Sequence, residues 1–482
     1  MNKSKFILSL FLLLVLILTC TKGVNAQDFD WIKNKFGIHI LNSTSEIFKA
    51  KELLQKDGGE WSWLTIVIRS DELNKKQWQE FFDVCRQEHF IPLVRISTKV
   101  ENGNWQSPTE TEVNRMATFL DELNWPTKDK FIILYNEPNR SDEWGGKADP
   151  AGYAKIIKYA SELFKKKDEN FHILSGGLDL AAPNSPSNFY SAERFYQEML
   201  SSEPEVFSNI DGIASHSYPN HGFIGSPYDQ GKTSIRGYEW ELDYLKSLGV
   251  EKNLFVFITE TGWPHQEGQS IYSKYFTCDA LADKYKTAFE IWNNDDRVKA
   301  FTPFLLSYQF EPFDHFSWTK PDGSFYSHAF VLGEKKENNN PDQTNKAEVL
   351  EIDFPYFLVP ENKYQGKLLL KNTGQKIWGE KERFCFPGKE ISGVEITGLC
   401  QSENKLINPQ ESAWFDFEFL FTENQDQISF GWENLPELEL KPLISKKTHI
   451  YKSEVSLVQK ISQSWYNRMQ TLSSLIAKHL RP

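Results

Sequence analysis

The chain has 482 residues, too many for one ordinary domain, and its 40% hydrophobic and 25% charged residues are a globular balance. The net charge of -12 argues against nucleic acid as a partner, because phosphate binding needs a basic surface.

Lys3 and Lys5 precede an apolar run from Phe6 to Leu18, and Val24-Asn25-Ala26 ends in a small residue. This pattern predicts a signal peptide over 1–26, cleavage after Ala26, and a secreted or cell-surface location. A lipoprotein signal ending at Cys20 is the alternative, but Ile17-Leu18-Thr19-Cys20 is a poor lipobox. No other run is long and apolar enough to span a bilayer.

From 27 to 335 apolar β-rich runs alternate with amphipathic helical stretches. Strands are predicted at Phe36–Ile40, Leu64–Arg69, Ile91–Ile96, Phe131–Tyr135, Phe171–Ser175, Ile210–Ser215, Leu254–Thr259 and Ala300–Tyr308. Helices are predicted at Lys76–Gln87, Thr109–Leu123, Pro150–Phe164, Ser191–Leu200, Ser234–Leu248 and Lys274–Trp292. Repeated strand–helix units over a segment of this length predict an α/β fold, the (β/α)8 TIM barrel. An open doubly wound sheet is disfavoured because no Gly-rich phosphate loop follows the first strand.

A polar stretch, 336–347, reads as a linker. Beyond it the helical period disappears. Short alternating runs at Val349–Phe354, Gly366–Leu370, Ile391–Ile396, Ala413–Phe421 and Gln427–Trp432 predict a small antiparallel β-sandwich over 348–445. Cys385 and Cys400 both fall within it. A bridge between them would close a short loop and contribute about 3 kcal/mol; two free thiols are the other reading. Cys85 and Cys278 fall in separate helices and are expected to be unpaired.

The last stretch, 446–482, predicts a basic amphipathic helix. Val458, Ile461, Trp465, Met469, Leu472 and Ile476 share one face. Three readings fit it: a helix laid on the sandwich or barrel, peripheral contact with an anionic membrane, or a segment disordered in isolation.

Residues just past the C-terminal ends of barrel strands line the active face. There the sequence concentrates polar and aromatic groups. His39 lies at the end of strand one and Arg69, Ser70 and Asp71 after strand two. Arg95 lies in strand three, Asn136 and Glu137 after strand four, and His216 and Tyr218 after strand six. Glu260 and Trp263 follow strand seven, and Tyr308, Gln309 and Trp318 follow strand eight. Asp179 and Asn184, after strand five, and Asp314 and His315 are further loop candidates.

Two apolar runs stand out because each ends in a glutamate, Phe131 to Glu137 and Leu254 to Glu260. Paired carboxylates across a cleft are what cleavage of a glycosidic bond requires. Aromatic residues stand at 14%, including 15 Trp; most can serve as core filling, and the surplus suits the C–H faces of sugar rings. Trp144 and Trp263 follow the two glutamates closely and are expected to line the groove. No Cys/His cluster has metal spacing, so neither a metal nor a cofactor is predicted.

Asn136-Glu137-Pro138 after strand four, with Ile258-Thr259-Glu260 after strand seven, resembles the superfamily of (β/α)8 retaining glycoside hydrolases known as clan A, or the 4/7 superfamily. The family-39-like and family-5-like groups both fit. The resemblance covers the barrel. It implies that Glu137 is the acid/base, that Asn136 contacts the 2-hydroxyl, and that Glu260 is the nucleophile. His216-Ser217-Tyr218 is similar to the family's strand-six aromatic pair, whose Tyr touches the nucleophile. Arg69 is similar to its Arg near the nucleophile, with Arg95 competing for that role; a structural ion pair of Arg69 with Asp71 is the other reading.

One departure stands beside these matches. Many members carry a Trp at the end of strand eight, whereas this chain reads Phe304-Leu-Leu-Ser-Tyr-Gln-Phe310. Trp318, Tyr308 and Phe310 are the candidate replacements. In the last domain, Leu369 to Trp378 contains an Asn-Thr-Gly…Trp signature similar to that of immunoglobulin-like accessory modules. There the Gly would serve a hairpin turn and Trp378 would fill the core.

The resulting expectation is a retaining β-glycosidase acting on an oligo- or polysaccharide. A transglycosidase of the same fold and a non-catalytic glycan-binding barrel are the alternatives. The first would use the same two glutamates; the second would tolerate their loss, and both are present.

Overall fold

The structure is a computed structural model that describes residues 29–333, 336–353, 355, 357–358, 362–379, 383–386, 389–391, 394–421, 439–440, 449–450, 465–466 and 468–469. The signal peptide predicted over 1–26, the strand predicted at Gln427–Trp432 and most of the tail predicted over 446–482 lie outside them. Of the residues read as the tail's apolar face, Trp465 and Met469 are described, and both are exposed. Among the described residues no helix is long and apolar enough to cross a membrane. The chain divides into two units, the first reaching Pro341 and the second comprising Asn124–Lys128 and the chain from Asp342.

The first unit is a (β/α)8 barrel. Its strands are β1 (Gly37–His39), β2 (Ser62–Arg69), β3 (Phe90–Ser97), β4 (Lys130–Leu134), β5 (Phe171–Ser175), β6 (Gly212–His216), β7 (Phe255–Glu260) and β8 (Val298–Phe301). They pair in parallel in sequence order. A parallel bridge between Phe36 and Phe301 nearly closes the ring, helped by Phe301 N donating to Lys35 O at 3.0 Å.

Alternation along each strand sends every second side chain inward. Trp63, Ile91, Leu93, Phe131, Ile133, Leu174, Ala214, Phe257 and Ala300 therefore form one apolar core, together with Phe29 and Trp61. The same parity carries β3 onward to Arg95, so this guanidinium emerges inside the barrel mouth.

The last strand is shorter than predicted. It stops at Phe301, and the residues expected to extend it through Tyr308 are irregular. Pro303 has no N–H for a ladder. Its carbonyl accepts from His39 N at 3.1 Å instead, and Leu306 N donates to His39 O at 2.8 Å.

Helices wrap the barrel: α1 (Thr44–Leu54), α2 (Lys75–Gln87), α3 (Glu110–Asp121), α4 (Pro150–Lys167), α5 (Ala192–Ser202), α6 (Gly237–Ser247) and α7 (Cys278–Asn293). Their starts are chemically marked. Thr109 and Glu112 make a capping box on α3, Asp149 caps α4 ahead of Pro150, and Thr277 caps α7. The sequence reading omits α1. Its preceding Ser43 makes no side-chain cap bond, and exposed Phe48 breaks the apolar stripe of Ile47, Ala50, Leu53 and Leu54.

The segment read as a linker is not free at its start. Asn339 Oδ1 accepts from Lys33 N and Asn34 N, both at 2.7 Å, while its Nδ2 donates to Asn34 O and Trp61 O at 2.7 and 2.8 Å. Asn338 Oδ1 accepts from Gly59 N and Glu60 N. Four backbone groups beneath the barrel are thus satisfied by the Asn339 side chain alone.

The described part of the second unit is a seven-stranded, mainly antiparallel sheet. Its central strands are Lys346–Asp353, Lys363–Asn372, Ser412–Phe421 and Val394–Gln401. The run predicted as one strand at Ile391–Ile396 spans the reversal between Lys389–Ile391 and Val394–Gln401. Trp378 is fully buried, stacked on Phe384 at 5.6 Å and edge-on to Phe415 at 5.6 Å. Cys385 and Cys400 face each other across an antiparallel pair and are bridged, whereas Cys85 and Cys278 are free and buried.

Candidate active site

At the C-terminal mouth of the barrel the chain places two carboxylates against each other. After β4 the backbone reverses sharply. Tyr135 and Glu137 have φ of 70° and 30°, a left-handed region that side chains other than Gly rarely enter. Three hydrogen bonds hold the reversal: Tyr135 N to Ile133 O (3.2 Å), Glu137 N to Gly177 O (2.9 Å) and Arg140 N to Glu137 O (2.9 Å). Strain of about 1–3 kcal/mol at such a position persists only where the surroundings over-determine it. Its effect here is to turn Glu137 back over the barrel mouth.

Glu260 arrives more simply, as the last residue of β7. One oxygen of Glu137, one of Glu260 and a ring nitrogen of His216 all lie within 4.8 Å of one another. His216, the last residue of β6, is fully buried. Its Nδ1 lies 2.9 Å from Glu137 Oε1 and 3.8 Å from Glu260 Oε2. Burial opposes a charged His216, but the charge of Glu260 and the hydrogen bond to Glu137 outweigh it and raise its pKa. Gly177 makes room for the ring, since a Cβ there would stand 2.2 Å from His216 Cδ2.

The two glutamates have different surroundings. Burial alone would push the Glu260 carboxyl up. His216 and Arg95 more than reverse this and hold it well below the usual carboxylate range. Arg95 Nη1 donates to Glu260 Oε1 and also to Asn136 Oδ1 at 2.6 Å. Tyr218 Oη donates to Glu260 Oε2 at 3.4 Å. Burial, then the charge of Glu260, raises the phenol's pKa, so it remains a donor. His39, buried beside Arg95 and Glu260, has its pKa lowered to about 3 and is neutral.

Glu137 instead faces His216 and Arg140, whose Nη1 is 3.3 Å from Glu137 Oε2. Arg140 also pairs with Asp142 at 2.8 Å and approaches Asp179 at 3.7 Å. Glu143, hydrogen-bonded to the Asn136 side chain, has its pKa raised to about 7 by burial and then by Glu137. Asn136 is thus oriented from both sides. Its carbonyl oxygen is taken by Arg95, which turns its amide N–H groups toward Glu143.

The structure thus brings together Glu137, Glu260, Asn136, His216 and Tyr218 of the predicted residues. It separates others from them. Arg69 is held elsewhere, chelated by Asp71 at 3.0 and 2.6 Å with Glu72 adding a contact at 3.2 Å. Arg95 is the arginine that pairs with Glu260. Trp144, Trp263 and Trp318 do not line a groove. Trp144 is wedged edge-on between Tyr135 and Tyr153, and Trp263 is edge-on to Tyr285 with its Nε1 on Gly225 O. Trp318 is wholly enclosed against Tyr285 and His328. Aromatic surface at the mouth comes from the irregular chain after β8, where Tyr308 is half-buried and Phe310 and Phe313 are exposed.

Sequence reading missed Arg140, Glu143 and Gly177. Arg140 and Glu143 lie in the loop that follows Glu137, so nearness was the available signal; Gly177 gives none without the fold. The cluster of Glu137, His216 and Glu260 has the ligand types for a cation. Arg95 and Arg140 already sit on its two carboxylates, which leaves little negative charge for one.

No family model matches the chain, and no curated protein matches it. Solved structures that it resembles include glycoside hydrolases. A GH128 subgroup II endo-beta-1,3-glucanase from Sorangium cellulosum is 12% identical, over 63% of this chain and 99% of that one, with a TM-score of 0.40. A beta-glucanase from Saccharophagus degradans is 12% identical, over 61% and 85%, with a TM-score of 0.39. A glucosidase from Croceicoccus marinus is 10% identical, over 80% and 81%, with a TM-score of 0.46. Identity and superposition at this level lend none of these activities to the chain.

Proposed function

We propose that the protein is a retaining glycoside hydrolase acting on β-linked oligo- or polysaccharides. One observation carries this reading: carboxylates delivered by the ends of β4 and β7 have oxygens within 4.8 Å of each other. Retaining enzymes hold their carboxyl groups about 5–5.5 Å apart, whereas inverting ones leave roughly 6.5–9.5 Å for an intervening water.

Roles follow from surroundings. Glu260, anionic between Arg95, His216 and Tyr218, attacks the anomeric carbon as the C–O bond breaks. Glu137 gives its proton to the departing oxygen. Water then attacks the glycosyl ester, Glu137 takes its proton, and Glu260 leaves as the free carboxylate. Asn136 donates to the hydroxyl beside the anomeric carbon, and Tyr308, Phe310 and Phe313 offer faces for neighbouring sugars.

The test is stereochemical. A panel of β-glycosides and β-glucans is screened, and the first-formed product of any that is cleaved is followed by proton NMR. The β-anomer is expected to appear first and mutarotate later. Initial α-anomer, or cleavage of nothing in the panel, overturns the proposal.

Arg95 and Arg69 provide a second, separable result. Arg95→Met removes a cation from Glu260, so its carboxyl pKa rises. The acidic limb of the kcat/KM profile should then move up by roughly one pH unit or more. Arg69→Met, at a locally satisfied rim pair, should leave that limb in place.

A further inference from the structure

We propose a zinc site, separate from the carboxylate pair, formed by His265, Glu267 and Cys278 at the two ends of the loop joining β7 to α7. One ligand atom from each of these residues lies within 4.8 Å of the other two. His265 is completely buried and its Nε2 lies 2.8 Å from Ser317 O. A carbonyl only accepts, so Nε2 carries the proton and Nδ1 holds a lone pair. That Nδ1 has no hydrogen-bond partner and faces Glu267 Oε2 at 3.7 Å. A ring N–H given to a backbone carbonyl, with the other nitrogen directed at a cluster of anionic ligands, is how metal-binding histidines are oriented.

Cys278 completes the set. Its Sγ donates to the same Glu267 Oε2 at 3.3 Å. In a tetrahedral zinc centre, donor atoms about 2.0–2.3 Å from the metal stand roughly 3.3–3.6 Å from one another. The His265–Glu267 and Glu267–Cys278 distances of 3.7 and 3.3 Å lie close to that spacing. Nitrogen, carboxylate oxygen and thiol sulfur together suit zinc over calcium or magnesium, which prefer oxygen alone. Binding would replace the S–H bond by a Zn–S bond and release the proton to solvent. Glu267 is half-exposed, so water would reach the metal from its side.

Placement suggests a clasp. His265 N donates to His315 O at 2.9 Å, and His315 Nδ1 lies 2.9 Å from His265 O. One end of the loop is therefore already tied to the chain after β8. A metal joining His265 to Cys278 would fasten that same end to the first turn of α7 and close the loop between them.

The full chain, stripped with chelator, is given zinc, passed through gel filtration and assayed for metal. One zinc per chain is expected. With cobalt(II) as the probe, a thiolate-to-metal charge-transfer band is expected. Cys278→Ser should abolish the band, and Glu267→Gln, at a half-exposed position that tolerates change, should weaken zinc binding about ten-fold or more. Cys85→Ser, at the other free thiol among the described residues, should alter neither. Substoichiometric zinc in the unaltered chain overturns the proposal. So does full binding by Cys278→Ser, or loss of binding in Glu260→Gln, which would place the metal on the carboxylate pair. None of these readouts depends on glycosidase activity.

Discussion

Glu260→Gln is expected to abolish turnover, by on the order of 10⁴-fold or more, equivalent to about 5.5 kcal/mol in the activation barrier. The amide keeps an oxygen for Arg95 but is no nucleophile, so no glycosyl ester forms. The substitution also leaves Arg95 without its counter-ion, and removing one partner of a buried pair is destabilising. Circular dichroism and melting must therefore accompany the kinetics. The expected outcome is a folded, inactive protein. Trapping the unaltered chain with a 2-fluoro glycoside should label Glu260, and a label on any other residue would remove it from the nucleophile's role.

Glu137→Ala should behave differently. Proton transfer by a positioned acid or base is worth about 10²–10⁴-fold, so natural substrates with poor leaving groups should slow by that range. Aryl glycosides whose leaving groups need no proton should still form the intermediate, which then waits for an unassisted water. The expected signature is a burst followed by a slow steady state. Azide, which needs no base, should speed the second step and yield a glycosyl azide. A uniform loss for all leaving groups, without burst or azide rescue, would show that Glu137 is not the acid/base.

Much of this site is legible in the sequence because a parallel barrel writes its active face at strand ends. The apolar runs leading to Glu137 and Glu260 announce buried strands, and the strands before and between them are equally plain. Arg95 illustrates a signal present but under-weighted. It shares parity with Ile91 and Leu93, which face the core, whereas Arg69 has Asp71 close by to claim it. The three tryptophans show the opposite limit. Nearness to a glutamate in sequence does not reveal which way an indole turns, and all three are covered by neighbouring rings. The end of β8 is not legible in sequence because Phe304, Leu305 and Leu306 look like strand, while Pro303 and the bonds to His39 send them elsewhere. The reversal that aims Glu137 involves left-handed Tyr135 and Glu137, residues that carry no turn signature at all.

The asparagine beneath the barrel has a consequence for how the chain acquires its fold during synthesis. Asn339 is separated by 305 positions from the Asn34 backbone that it satisfies. When the ribosome has produced only the early strands, the carbonyls of Asn34 and Trp61 have no such partner. The rim under β1 and β2 must wait, exposed to water and to other chains, until nearly the whole barrel has emerged. Loop closure over that separation precedes any reward from the contact. The floor of this barrel is therefore among the last parts to be sealed, although it is encoded almost first.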